Sequence, residues 1–504
     1  MFNYDKISRM MSLDVKKYFI LFLPLLIGLQ LLSGCTQRET GTREIVAEVG
    51  NRQIDWDHLK RSFELDPKWG KGLTREEAYQ NQLNFLIDEK LFAQAGERDG
   101  MTADTTLQAY LQFIEEKELI KELYRQEVAD RITITEAEYA EAYQKSKKRV
   151  KLAYIFTPDS NQADAYYQQA LKVRVSGVEL QHPDREHQGE TPLFGYGDME
   201  APLEAVVFDL QQGEIAPPIA VTDGYMVVEL LYGEVEKFQS ELDFAERKSK
   251  IRKVMFQRRA EKISNHYIKN FMQDKNLQLN PPVFFALADK LTQIIHNKTS
   301  DNPVPVFVSN QELQSASHSL EELKREILIT HRDGSMTVDQ FLKQLWCMPE
   351  YLRPNLKHPK NLKNAIGVAV RNQYLAEEAR RRALGSAPRA RREIRIQSDE
   401  LIANYWLKKQ TAKIRISEEE IREFRTSEKF PQLVSELGRE PDEGEIRDLI
   451  RRIRIIELKR DASDSLRQIF PVQIDTTLLR NKINKPNEVI DFQPAKVVVR
   501  ELFN

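Results

Sequence analysis

Cysteine is nearly missing from this chain. Of 504 residues only Cys35 and Cys347 carry a thiol, which excludes a disulfide framework and a cysteine-based zinc site. Nor does charge of one sign dominate. With 75 Lys and Arg against 77 Asp and Glu, the formal net charge is −2, and the basic footprint of a dedicated nucleic-acid binder is lacking. There is no phosphate-cradling glycine loop, no H-E-x-x-H and no G-x-S-x-G. What is present is a hydrophobic fraction of 41%, enough for a real core, and a charged fraction of 30%, which suits helices with much solvated surface. At roughly 100–200 residues per domain, the length predicts about three to four units. Composition thus predicts a large, soluble, mostly helical and cofactor-poor chain.

The N-terminus carries the most specific signal. Lys16 and Lys17 precede a 15-residue apolar run, Tyr18 to Leu32, too short and wrongly flanked for a spanning helix. A basic segment followed by such a run reads as a secretory signal. The run ends Leu32-Ser33-Gly34-Cys35, which resembles a bacterial lipobox. That resemblance implies lipidation of Cys35 and cleavage before it, leaving residues 35–45 as lipidated cysteine and polar tether. Several acyl chains on one residue anchor a protein stably, at about 0.8 kcal/mol per buried CH₂. Thr36 and Gln37 follow, with no Asp at the second position, a pattern implying the periplasmic face of a Gram-negative outer membrane.

Past the tether the chain repeats itself. Val46 to Ile54 reads as a strand and turn, with Asp55 as an N-cap, and Thr74-Arg75-Glu76-Glu77 as a capping box for a helix stopping at Gly100. A further helix spans about 104–128, and Thr135-Glu136-Ala137-Glu138 forms another box. Asp333 to Phe341 repeats the turn and cap. Asn372 to Ala379 resembles Asp88 to Ala95, and Lys413 to Glu420 repeats Arg131 to Glu138. Ile54 to Thr135 is 81 residues, as is Met336 to Ser417. Each copy is followed by a long charged helix and a short extended tail: 241–274 with Leu277-Gln278-Leu279-Asn280, and 443–468 with Val472-Gln473-Ile474-Asp475. The first copy holds an insertion of about 85 residues that the second lacks. The expected organisation is a signal at 1–34, a first module at 46–149 plus 237–280, and an inserted domain at 150–236. A connecting region at 281–325, a second module at 326–480 and a tail at 481–504 follow.

The insertion alternates as a strand over Val150 to Phe156, continues with a helix over 161–172, and reaches Leu193-Phe194-Gly195-Tyr196-Gly197-Asp198-Met199. Leu203, Phe208, Gly213-Glu214-Ile215 and Thr222-Asp223-Gly224-Tyr225-Met226 follow. This order resembles parvulin-type peptidyl-prolyl isomerases, and with its flanking helices the chain resembles the SurA/PrsA group of extracytoplasmic foldases. The resemblance implies a predominantly helical α+β fold, two chaperone modules and a small parvulin-like α/β domain inserted in the first. It covers about 46–280 well and 325–480 weakly.

Parvulin chemistry lowers a barrier of about 18–20 kcal/mol by letting the prolyl peptide bond twist out of plane, with no covalent step. The family uses an apolar proline pocket and a polar floor with two histidines. By resemblance Met199, Leu203 and Phe208 fall on pocket positions, Leu203 where the family usually has Phe, and Thr222 falls near a floor position. Tyr154 and Met226 stand where the two histidines should be. A weak or inactive isomerase retained for binding is therefore favoured over an active one. His182 and His187 sit in a polar loop and make only a weak metal pair. Cys347 reads as core. Arg380, Arg381, Arg382, Arg389, Arg391, Arg392 and Arg395 form a basic cluster, read as a solvated helix end or, more sharply, as a lipid-headgroup contact. Phe256, Tyr267, Phe271, Met272, Trp346, Met348 and Trp406 are each better read as core than as a client-binding surface.

The expected function is a membrane-anchored folding factor that binds unfolded secreted or outer-membrane polypeptides. The alternatives are an active prolyl isomerase and a structural lipoprotein holding one fixed partner. The expected contacts are unfolded chains and the membrane through the lipid, without nucleic acid or cofactor; homodimerisation is left open.

Overall fold

The computed structural model describes residues 43–65, 73–235, 241–296, 308–354, 356, 359–428, 430–431, 434–435 and 438–484. Cys35, the segment before it, the tether up to residue 42 and residues 485–504 lie outside them. Helices predominate and three small sheets join them, so the chain is α+β and mostly helical. Among the described residues no helix is long and apolar enough to cross a membrane. The chain divides into two compact units. An α/β unit comprises Glu122–Gln278 with Thr330–Ser335, and a helical unit comprises 43–121, Leu279–Ile329 and the residues from Met336 on.

The helical unit begins with a hairpin, β1 (Ile45–Val49) and β2 (Arg52–Asp55), and a short helix, α1 (Trp56–Leu65). Its turn needs glycine: Gly50 has φ +56°, and a Cβ there would stand 2.3 Å from Gln94 Oε1. Gln94 clamps the turn, donating to the Val49 carbonyl at 2.9 Å and accepting from Asn51 N–H at 3.2 Å. Helix α2 (Arg75–Arg98) starts at the expected capping box, Thr74 and Glu77 serving each other's backbone N–H. It ends before Gly100, whose φ is +71°. Next comes α3 (Thr105–Glu127).

In the α/β unit α4 (Glu136–Ser146) opens with the Thr135–Glu138 box and feeds directly into β3 (Lys148–Thr157). Then follow α5 (Ser160–Val173), β4 (His187–Glu190), α6 (Ala201–Val207), β5 (Ile215–Val221) and β6 (Gly224–Val235). The strands form one antiparallel sheet of order β4-β3-β6-β5. Alternation sends Ala153, Ile155 and Val227 to the face that α5 covers with Tyr166 and Ala170. Val150, Leu152, Tyr154, Met226, Val228 and Leu230 go to the other face. The long helix α7 (Glu241–Met272) closes the unit, as expected for 241–274.

After β7 (Gln278–Leu279) the connecting region is helical: α8 (Pro281–His296) and α9 (Asn310–Ser319) bury Val283, Leu287, Leu291, Leu313 and Ala316. A second hairpin, β8 (Ile327–His331) and β9 (Gly334–Thr337), leads into α10 (Val338–Cys347), α11 (Pro359–Arg381), α12 (Pro388–Thr411) and α13 (Glu418–Thr426). Last are α14 (Glu443–Ile469), β10 (Val472–Ile474) and α15 (Thr476–Ile483).

One core of the helical unit joins early and late segments of the described residues. Val46, Val49, Ile54, Leu59, Phe63, Leu83, Leu86, Ile87 and Leu91 share it with Leu401, Ile402, Trp406, Leu466 and Leu479. Strand β10 pairs with β1, Ala47 opposite Ile474 and Val49 opposite Val472. Gly96 lets α12 come close, since a Cβ there would meet Ile402 Cγ2 at 2.7 Å, and Phe92 stacks on Trp406 at 5.3 Å. The repeat assigns these two sets of residues to separate modules. They lie in one core because the apolar stripes of α2 and α12 cover each other.

Candidate functional site

The residues that the sequence points to gather on the second face of the α/β sheet. On β3, Tyr154 lies opposite Val228 of β6 and Phe156 lies opposite Met226, which itself pairs with Ile219 of β5. Helix α6 lies across this end with a proline in its first turn, which fits because the amides there need no intrahelical partner. Tyr154, Met199, Leu203, Phe208 and Met226 belong to one cluster with Val207, Ala216, Ile219 and Val228. Each of the five is more than nine-tenths buried, Leu203 at 2% and Met199 and Met226 at 7% exposure. Burial raises the Tyr154 phenol pKa, which keeps it neutral. Thr222 stands apart on the half-exposed turn after β5. Its N–H and Oγ1 donate to Glu200 Oε2 at 2.9 and 3.0 Å, a tie that the sequence did not disclose.

Helix α7 covers this layer from outside. Ile251 is buried in the cluster, and Val254 and Met255 pack against it, as do Tyr139 and Tyr143 of α4. Gly197 has φ +84°, and a Cβ there would meet Val254 Cγ2 at 2.4 Å. Arg258 Nη1 pairs with Glu204 Oε1 at 2.6 Å, its Nη2 donates to the Met199 carbonyl at 3.2 Å, and its guanidinium lies 5.2 Å from the Tyr196 ring centre. Burial pulls the Arg258 pKa down, but the bond to Glu204 and that residue's charge outweigh it and the net direction is up. Lys250 Nζ pairs with Asp198 at 2.9 Å. Glu204 also accepts from Gly197 N–H at 2.6 Å, so one carboxylate holds both the turn and the covering helix. Between α4, α6 and α7 a cleft of about 250 Å³ remains, lined by Glu138, Glu141, Lys145, Tyr196, Glu204 and Arg258. Its charges are matched: Lys145 with Glu141 at 2.8 Å, Arg258 with Glu204, and Glu138 with Arg259.

The remaining candidates lie elsewhere. His187 stacks on Phe156 at 6.2 Å, whereas His182 donates its backbone N–H to Glu186 at 2.8 Å. Cys347 is buried and its thiol is pushed up to about 11, the state of an inert core residue. Trp406 is core. In the basic cluster Arg380 meets Glu115 and Glu116, Arg381 and Arg382 both meet Glu378, and Arg392 meets Asp55 at 2.5 Å. The two bonds from Arg381 and Arg382 hold the Glu378 pKa down at about 2. The cluster is largely spent on carboxylates of its own chain.

Neither a protein-family model nor a curated protein matches the chain. Solved structures similar to it include peptidylprolyl isomerase PrsA from Bacillus cereus, 16% identical, with 56% of this chain and 100% of that one covered at a TM-score of 0.20. PrsA from Bacillus subtilis is 18% identical, with 45% and 93% covered and a TM-score of 0.14. A structure from work on PEB4 and the periplasmic protein Cj1289, described as SurA-like chaperones of Campylobacter jejuni, is 16% identical, with 47% and 100% covered at 0.21. These are names of the SurA/PrsA group that the sequence resembles.

Proposed function

We propose that this chain is a membrane-tethered, extracytoplasmic folding factor that holds unfolded polypeptides, and that its α/β domain serves binding and architecture rather than catalysis. The observation that carries the second half is the state of the pocket positions. Tyr154 and Met226 stand where a parvulin needs histidines, and with Met199, Leu203 and Phe208 they are shut in a core beneath α6 and α7. Less than a tenth of each of these side chains is exposed, and neither histidine is there to serve as a polar floor, which favours packing over catalysis.

Export and anchoring rest on the basic, apolar and Leu32-Ser33-Gly34-Cys35 segments. The duplicated module, with the parvulin-like domain inserted in its first copy, is supported by matching contacts. Ser417 and Glu420 lie 282 positions after Thr135 and Glu138, and Arg454 and Gln473 lie 195 after Arg259 and Gln278. Both copies make the same ion pair with these residues, Glu138 to Arg259 and Glu420 to Arg454. Each such pair ties the short fourth helix of a copy to its long return helix.

The test is suppression of aggregation. A chemically unfolded client is diluted into buffer with substoichiometric full-length chain, and light scattering is followed. Scattering suppressed for several unrelated clients is expected. Suppression for none, with one partner captured at fixed stoichiometry instead, would favour the structural lipoprotein.

A further inference from the structure

The least expected chemistry in the helical unit is a set of buried charges. Lys90 of α2 and Asp399 of α12 are each 1% exposed and lie 3.2 Å apart. Lys90 Nζ is also 3.1 Å from Glu89 Oε1. Arg52 of β2 donates through Nε to Asp399 Oδ1 at 2.9 Å, through Nη2 to Glu97 at 2.6 Å and through Nη1 to Asn51 at 2.6 Å. Buried ion pairs contribute little over apolar residues of the same shape, and their best-attested use is to decide which partner an element takes.

Here the elements so joined come from different copies of the repeat. At the displacement of 282, Lys117-Glu118-Leu119-Ile120-Lys121 of α3 corresponds to Asp399-Glu400-Leu401-Ile402-Ala403 of α12. The central Glu-Leu-Ile is identical, but the residue before it is opposite in sign. Asp399 faces Lys90; at the same place α3 would bring Lys117. The strands follow the same rule. Strand β10, the tail of the second copy, completes the hairpin of the first, Glu48 opposite Gln473. Asn280, in the tail of the first copy, donates its N–H to Leu328 O of the second hairpin at 2.9 Å.

We propose that the two modules exchange elements, each copy's tail strand completing the other's hairpin, and that the Lys90, Asp399 and Arg52 cluster selects α12 over α3 as the partner of α2. The unexchanged pairing would set Lys117 against Lys90, burying two ammonium groups with no Asp399 between them. Like charges meeting in a low-dielectric interior exclude that arrangement far more strongly than a lost contact would. The proposal rests on the duplication argued above and is independent of client binding.

A three-cysteine competition reads the pairing directly. The full chain with Cys35→Ser and Cys347→Ser carries Glu48→Cys, Gln473→Cys and Gln278→Cys together. Under mild oxidation the 48–473 disulfide is expected to form and the 48–278 disulfide is not. Asp399→Lys should shift the ratio of the two products by about tenfold toward 48–278, and adding Lys117→Asp, which gives Lys90 a partner on α3, should shift it further the same way. Asp399→Asn, a milder change, should shift it the same way by less, and it decides the matter if the lysine variant does not fold. A dominant 48–278 product in the parent chain would overturn the exchange. A ratio unmoved by either Asp399 variant would overturn the role of the cluster. Aggregation suppression measured on the same variants reports the client-binding reading separately.

Discussion

The helix pair α4–α7 and the helix pair α13–α14 are built alike and do different work. Both are tied by a Glu to Arg pair, Glu138 with Arg259 and Glu420 with Arg454. Both pack apolar side chains of the short helix on those of the long one: Tyr139 and Ala142 share a cluster with Ile251, and Ile421 and Phe424 with Ile446 and Ile450. Only the first carries an α/β domain between its helices. At the 195-residue displacement, Lys250, Val254 and Arg258, which grip that domain, become Glu445, Leu449 and Ile453. The difference shows what docking a folded domain requires of a helix: one half-buried cation aimed at a buried carboxylate, one aliphatic residue seated on a glycine, and an outer ion pair.

Importing residues of α14 into the matching places of α7 should undo the docking. Arg258→Ile, the largest expected effect, strands Glu204, whose side chain is 4% exposed, without its cation. Loss of about 3–5 kcal/mol from the α/β unit is expected in chemical denaturation, with part of it recovered by Glu204→Gln.

A second import concerns pH. Glu89 is pushed up to about 7, chiefly by burial, which outweighs the attraction of Lys90; the aligned residue of the proposed second copy is Gln373. A carboxyl whose folded pKa is raised binds its proton more tightly in the native state. Its stabilisation is therefore present at low pH and lost as pH rises from about 4.5 through about 7, by up to about 3 kcal/mol. Glu89→Gln should flatten that fall, so that the variant gains on the parent at pH 8 and not at pH 4 in paired melting curves.

Gly197→Ala should cost about 1–3 kcal/mol, through its positive φ and the collision with Val254, and Val254→Ala should return the share due to the collision. The smallest effect is expected where the two helix pairs agree. Arg259→Ala and Arg454→Ala each remove a half-exposed pair and should leave denaturation midpoints unmoved, and alike, in both helix pairs.

Much of the local structure was legible in the residues. The capping boxes at Thr74, Thr135 and Ser417 form as written, because a hydroxyl and a carboxylate three residues apart satisfy only local amides. The return helices and their tail strands stand where charge and apolar periodicity put them. The fold class followed. Partner choice was not legible. That β10 lies on β1 and α12 on α2 depends on contacts more than 300 positions apart, and hydrophobic periodicity names a buried face without naming what covers it. The site was half visible. Met199, Leu203 and Phe208 could be picked out by resemblance to the parvulin pattern, but Glu200, Glu204 and Arg258 looked like ordinary surface charge. The one hint lay in the glycine-rich turn before Met199, where Gly197 leaves room for Val254.

The most direct measurement is prolyl cis–trans isomerisation by the full chain on a panel of X-Pro peptides, with an active parvulin as control. A binding domain whose pocket layer is closed under α7 should give rates equal to the uncatalysed reaction for every peptide. Acceleration that disappears on Met199→Ala would contradict this account and place catalysis on a floor of Tyr154 and Met226.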